Sequence, residues 1–187
     1  MVFYEKYPFA LKISLAIAGM LSISLFLLAF VYRSSSENGV AMFLARVFRF
    51  PALRVNGEVV ALDEYYRYER ALEQWYGLDD QSEIVSESVG DGLMERLTVI
   101  ALERDIARHR GIHLEQKAVK ELAERLGEAD PNLAATLRDR YQWTEKDFRT
   151  LIVEPLALER KLHAEIPDFE TVFERERRDA KVRKYLE

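Results

Sequence analysis

The sequence ISLAIAGMLSISLFLLAFVY, which begins at Ile13 and ends at Tyr32, contains no charged residue and is flanked by Lys12 and Arg33. An α-helix rises about 1.5 Å per residue, so a helix of this length crosses the ~30 Å hydrocarbon core of a bilayer. Because lipid offers no hydrogen-bond partners, backbone N–H and C=O groups must bond within the segment, and a helix satisfies this requirement. Its serines can bond back to their own turns. The sequence therefore predicts a transmembrane anchor over residues 13–32 and a cytoplasmic tail over residues 1–12.

A cleaved signal peptide is the main alternative, because Lys6 and Lys12 supply the basic start that such peptides need. Signal peptides have an apolar core of about 7–15 residues and a small-residue cleavage site. The apolar run here is longer, and Ser34-Ser35-Ser36 is a weak substitute for an Ala-x-Ala site. An uncleaved anchor fits this pattern best, and a buried helix of a soluble protein fits it least.

The orientation of the anchor depends on the basic residues at its two ends. Lys6 and Lys12 precede the apolar run, whereas Arg33, Arg46 and Arg49 follow it. The two counts are nearly even. A short N-terminal tail followed by one span and a long domain is typical of a signal anchor, so we expect a single-pass protein of the cell membrane with an extracytoplasmic domain.

The charge of the chain argues against a nucleic-acid ligand. The 187 residues carry a net charge of −5. Residues 1–40 contain three basic and two acidic residues, so the remaining chain has a net charge of −6. Nucleic-acid phosphates require a basic footprint, which a mildly acidic domain does not supply.

Catalytic and metal-binding motifs are missing from the sequence. There is no cysteine, which excludes disulfides, thiolate metal sites and cysteine nucleophiles. His109 and His113 are four residues apart, but Gly111 interrupts the helix that would align them, so we interpret them as exposed helix-end histidines. The sequence also lacks HExxH, GxGxxG, GxxxxGK[ST] and GxSxG. We therefore expect no enzyme activity, no cofactor and no metal.

Residues 33–50 are predicted to form a linker and a juxtamembrane segment. Residues 33–39 (RSSSENG) are polar, whereas residues 40–48 place apolar side chains at helical spacing. The short helix at residues 40–48 has two interpretations. Its apolar face lies among lipid headgroups with Arg46 and Arg49 near phosphates, or it packs on the protein's own domain.

Residues 51–167 are predicted to form one helical domain with a small β-hairpin, so the fold class is all-α, preceded by one transmembrane helix. The hairpin covers residues 53–60, where Asn56-Gly57 tolerates positive φ. Abundant Leu, Ala, Glu, Arg and Lys favour helix in the rest of the domain. Periodicity places these helices at residues 62–76, 93–109, 114–126, 131–141 and 144–166.

The helices differ in their expected roles. Residues 93–109 carry apolar side chains on several faces, which predicts a central helix covered on several sides. Thr144 and Asp147 resemble a capping box that starts the next long helix, and Pro155 should kink that helix near residues 151–152. Residues 168–187 predict a final charged helix.

Aromatic residues provide the candidate binding surface, because they cluster near the ends of predicted helices. Aromatic side chains bury large areas and can bind apolar peptide segments. Packing in the core is the alternative role for any one of them. The predicted peptide-binding residues are Tyr65, Tyr68, Trp75, Tyr76, Tyr141, Trp143 and Phe148.

Several motifs together resemble a known family. ALRVNGE at residues 52–58 is similar to the entry of the SurA-type N-terminal chaperone domain, and residues 89–112 resemble its long central helix. YQWTEKDF at residues 141–148 resembles its aromatic turn, and EPLALERKL at residues 154–162 the start of its closing helix. The motifs occur in the family's order, and membrane- or lipid-anchored foldases of the PrsA and PpiD kind share this domain.

The resemblance implies an extracytoplasmic chaperone that binds unfolded or unassembled polypeptides on an apolar surface. Many relatives continue into a parvulin-type prolyl isomerase domain, but only twenty residues follow Pro167 here. We therefore expect no isomerase activity. A membrane-anchored scaffold for one defined protein partner is the alternative function.

Overall fold

The computed structural model describes residues 9–34, 38–76, 83–141 and 143–186, and for residues 9–12, 73–76 and 83–89 it describes the backbone alone. The described residues are mostly helical and include a small three-stranded sheet. The elements in chain order are α1 (Phe9–Arg33), α2 (Gly39–Phe48), β1 (Pro51–Val55), β2 (Glu58–Ala61), α3 (Leu62–Tyr76), α4 (Glu83–Arg110), α5 (Gln116–Ala129), α6 (Leu133–Tyr141), α7 (Glu145–Phe148), a π-helical turn (Arg149–Val153), α8 (Glu154–Glu165), α9 (Phe169–Asp179) and β3 (Val182–Lys184).

The predicted apolar helix is confirmed as α1, which is long and apolar enough to span a membrane. The hydroxyls of Ser22 and Ser24 donate to the carbonyls of Ala18 and Met20, each at 2.9 Å. Serine hydroxyls in this helix therefore bond back to their own turn, as the sequence predicted.

The C-terminal end of α1 packs against the domain. Val31 is fully buried in the larger of two hydrophobic cores, the main core, whose members include Leu53, Leu62, Leu97 and Leu162. The Tyr32 hydroxyl donates to the Pro51 carbonyl at 2.6 Å, and the Tyr66 hydroxyl donates to the Ser34 carbonyl at 3.0 Å. The predicted linker includes residues 35–37, which lie outside the described residues, but both sides of that gap contact the domain.

The predicted hairpin is confirmed, and the structure adds a third strand. β1 pairs antiparallel with β2, and Asn56 in the connecting turn has φ of 52°. β3 pairs with the other edge of β1, which gives the strand order β2-β1-β3. The prediction of one helix over residues 168–187 is therefore wrong beyond Asp179, because residues 182–184 complete the exposed edge of β1 instead of continuing α9.

The predicted central helix is confirmed as α4, whose Leu97, Ile100 and Leu102 are almost fully buried. It packs against the sheet, α3, α8 and α9. Gly111 with φ of +67° follows its last turn, as expected for the left-handed residue that commonly ends a helix. This main core holds the sheet and the central helices together.

The predicted disturbance by Pro155 takes the form of the π-helical turn Arg149–Val153 directly before α8. Proline has no N–H, so it cannot donate to the carbonyl four residues earlier, that of Leu151. The hydroxyl of Tyr68 donates a hydrogen bond to this carbonyl. A side chain from α3 thus supplies this carbonyl with a donor that proline at position 155 cannot supply.

Candidate functional site

Helices α5, α6 and α7 enclose an open groove with a volume of about 780 Å³. It is larger and more apolar than a second cavity of about 430 Å³ between α4, α9 and β3. The groove is lined by apolar side chains, with charged residues among them. Its apolar lining consists of Ala123, Pro131, Leu133, Ala134, Leu137, Trp143 and Phe148.

The groove lies above a second, smaller core that is separate from the one around α4. Val119 and Leu122 of α5 pack there with Phe148, Val153 and Ala157. Helix α6 has no buried residue. The floor of the groove is therefore firmly packed, while the α6 wall contributes half-buried and exposed side chains that a ligand can cover.

Trp143 is held at the groove by a backbone hydrogen bond and by contacts with two other rings. Its backbone N–H donates to the Leu137 carbonyl at 2.9 Å. The indole lies edge-to-face on Tyr68 with ring centroids 6.5 Å apart, and the centroid of the Tyr141 ring lies 5.7 Å away. Trp143 thus connects the main core to the surface of the groove.

The predicted capping box at the start of α7 is confirmed. Thr144 Oγ1 accepts a bond from the Asp147 N–H at 3.2 Å, and Asp147 Oδ2 accepts one from the Thr144 N–H at 3.0 Å. The Asp147 carboxylate also pairs with Arg67 of α3 at 2.9 Å. Burial alone would raise the pKa of Asp147, but the bonds from Thr144 and Arg67 lower it overall. The turn beside the groove is therefore fixed to α3.

The structure separates the predicted binding residues into several environments. Trp143 and Phe148 line the groove, whereas Tyr141 does not line it and contacts the ring of Trp143. Tyr65 and Tyr68 are buried in the main core, and burial raises the pKa of Tyr68. The side chains of Trp75 and Tyr76 lie outside the described residues. Two of the seven residues therefore form part of one apolar surface.

The walls of the groove come from residues that were not among the predicted set. Leu133 and Leu137 are four residues apart on α6, and Ala123 faces them from α5. Because residues four apart share a helix face, the apolar spacing of α6 was a readable signal. The sequence alone did not show that this face is left partly uncovered.

The lining of the groove combines apolar and charged side chains. Its charged residues carry both signs, and they are Lys120, Glu124, Asp130, Arg138 and Glu145. Among the residues whose side chains are described, no three His, Asp or Glu groups converge to hold a metal ion. All three histidines are exposed, including His109 and His113, as predicted from the sequence. An apolar groove with a charged rim is suited to an amphipathic ligand.

No family model, curated protein or solved structure matches the chain.

Proposed function

We propose that this chain is a membrane-anchored, chaperone-like protein that binds unfolded or unassembled polypeptide segments in the α5–α7 groove. The observation that carries the proposal is the open apolar groove with Trp143 and Phe148 in its lining. Its volume of about 780 Å³ lies within the range of about 300–1,000 Å³ that ligand pockets occupy. It has room for apolar side chains of an extended or helical segment.

Binding in such a groove is weak and exchanges readily. Each large apolar side chain that leaves water contributes about 1.5–3 kcal/mol before the costs of ordering the ligand. A segment with a few such residues therefore gains modest net affinity. Apolar contacts also tolerate many sequences, since they are non-directional. These properties suit a protein that holds clients transiently.

The proposed location is the cell membrane, with the domain on the extracytoplasmic side. The length and apolar character of α1 support a single membrane span. The resemblance of residues 51–166 to the SurA-type chaperone domain supports the orientation, since the flanking charges are nearly even. In this arrangement the groove lies close to where polypeptides emerge from the membrane. No covalent step is required of the protein.

The charged rim favours a second candidate function, a scaffold for one defined partner. Five charged residues of both signs surround the groove, among them Lys120, Arg138 and Glu145. Charges arranged in this way select a partner with complementary charges. A protein that binds diverse clients has less need of charges that select one partner.

The test compares two neighbouring alanines of α6. Ala134 lines the groove and Ala135 does not, and both are exposed. We expect full-length Ala134→Asp in nanodiscs to bind a fluorescent unfolded client roughly tenfold more weakly, a change of about 1.4 kcal/mol, and to suppress its aggregation less. Ala135→Asp should behave like wild type. Equal behaviour of the two variants, or no suppression by wild type at several-fold excess, would refute the proposal.

A further inference from the structure

Helix α2 presents apolar side chains in two directions. Ala41 and Ala45 are fully buried against the rest of the protein. Val40, Phe43 and Val47 are exposed by 62%, 64% and 55%. A helix that only packed on its own domain would direct polar residues to solvent on its other side. The second apolar face of α2 therefore needs a partner.

The exposed apolar residues form one continuous face. Positions 40, 43 and 47 are separated by three and four residues, so they lie on the same side of the helix. Phe48, exposed by 59%, extends this side at the end of α2. Soluble proteins seldom expose an apolar patch of this kind unless it contacts a partner or a membrane.

The position of α2 identifies the partner. Its first residue, Gly39, follows the last residue of α1, Arg33, by six positions, and the two helices contact each other. The end of α1 is fixed to the domain through Val31 and Tyr32. If α1 crosses the bilayer, then α2 is held at the level where the span leaves the hydrocarbon core.

The charges around α2 match the same partner. Arg33, Arg46 and Arg49 are exposed, and in the described part of the chain no ion pair joins any of them to a carboxylate. Helix α2 itself contains no acidic residue. Exposed arginines beside an apolar face are typical of helices that lie among lipid headgroups, where phosphates attract them.

We propose that α2 lies in the interface of the bilayer, with Val40, Phe43 and Val47 in the boundary between headgroups and acyl chains. The arginines at its edges then contact lipid phosphates. This inference rests on the membrane anchoring in the proposed function, and it adds a second attachment. Because α1 and α2 both pack on the same core, the two attachments together would orient the domain on the membrane.

The test uses single-cysteine labelling, since the chain contains no cysteine of its own. The full-length protein is reconstituted in vesicles of phosphatidylcholine and phosphatidylglycerol that carry spin-labelled lipids. An environment-sensitive fluorophore is attached at Phe43→Cys on α2, at Leu21→Cys in α1, and at Lys117→Cys on α5, which packs on α6 and α8. Lipid quenching and iodide quenching are measured at each position.

We expect the label at Leu21→Cys to be quenched by lipid deep in the bilayer. The label at Phe43→Cys should be quenched several-fold more than the one at Lys117→Cys, by a spin label roughly 5–10 Å below the headgroups. Iodide should quench the label at Lys117→Cys most. This pattern supports an interfacial α2.

Three other patterns would overturn the inference. Quenching at Leu21→Cys together with water-like behaviour at Phe43→Cys would refute the interfacial helix and leave the anchor intact. Protection of Phe43→Cys from both quenchers would mean that protein, such as a second copy of the chain, covers this face. Absence of lipid quenching at Leu21→Cys would refute the anchor itself, and the inference with it.

Discussion

At the scale of single residues, Tyr68 donates a hydrogen bond to the carbonyl of Leu151, a residue far from it in the sequence. Pro155 cannot donate to the Leu151 carbonyl, and the Tyr68 hydroxyl donates to it instead. Pro155 alone predicted a disturbed helix near residues 151–152. The sequence did not predict the hydrogen bond from Tyr68, because Tyr68 is 83 residues away from Leu151. An aromatic residue expected at a binding surface is instead part of the core.

We predict that Tyr68→Phe lowers the free energy of unfolding by about 0.5–1.5 kcal/mol, because it removes a hydrogen bond to a buried carbonyl. Tyr185→Phe, on the surface, should change it by less than about 0.5 kcal/mol. In a Pro155→Ala background residue 155 regains its N–H, so the cost of Tyr68→Phe should shrink. Urea unfolding of the full chain in micelles measures the free energy of unfolding for Tyr68→Phe, for Tyr185→Phe and for Tyr68→Phe in the Pro155→Ala background. An undiminished cost in the alanine background would contradict this account.

Glu103 is an acidic residue of the central helix α4. It is buried, and its Oε2 has no hydrogen-bond partner among the described residues. Burial, and after it the charge of Glu159, raises the pKa of Glu103 from 4.5 to about 7. The folded state therefore holds more protons than the unfolded state between these two pH values, and stability from this group falls as pH rises through that window.

We expect Glu103→Gln to remove this pH dependence. Relative to wild type, the variant should gain roughly 1–3 kcal/mol of unfolding free energy between pH 4.5 and pH 8, after allowance for solvent screening. Glu128→Gln, at an exposed site, should follow the wild-type curve. Parallel curves for wild type and Glu103→Gln over this pH range would show that Glu103 is ionised normally.

At the scale of elements, the junction between the hairpin and the C-terminal segment depends on Asn56. Its Nδ2 donates to Asp105 of α4 at 2.7 Å, and its Oδ1 accepts from the Lys181 N–H at 2.9 Å. The Asn56 N–H donates to the Lys181 carbonyl at 3.0 Å. One side chain of the turn thus positions β3 against the edge of β1.

We predict that Asn56→Gly, which still permits positive φ, destabilises the protein by about 1–2 kcal/mol through the lost side-chain bonds. Backbone amides of β3 should exchange with solvent faster, while the pairing of β1 with β2 stays protected. The matched change Asn38→Gly removes the N-cap of α2 and should cost only a few tenths of a kcal/mol. Hydrogen exchange of the backbone amides is measured for both variants. Unchanged exchange in β3 of Asn56→Gly would contradict this role of Asn56.

The elements also show what the sequence could and could not predict. Local signals were sufficient for α1, for α3, for the Asn56-Gly57 turn and for the capping box of α7, because each depends on neighbouring residues. The strand at residues 182–184 depends on an unpaired edge of β1 far away in the sequence. The groove likewise depends on how α5, α6 and α7 meet, so the sequence predicted two of its lining residues and not its walls.

At the scale of the whole molecule, three features are joined through packed contacts. The apolar α1 ends in the main core, the exposed apolar face of α2 lies beside it, and the groove lies on the second core formed by α5 and α7. The helix that is long enough to span a membrane is bonded directly to the domain, through Tyr32 at its end and through Ser34, which follows it.

The most direct test of the proposed function is site-specific crosslinking of the full chain in native membranes. A photoreactive residue replaces Ala134, in the groove, or Ala135, its exposed neighbour outside it. The proposed function predicts that position 134 crosslinks to many polypeptides of different mass and that position 135 yields far fewer. A single partner at position 134 would identify a scaffold, and equal yields at the two positions would contradict binding in the groove.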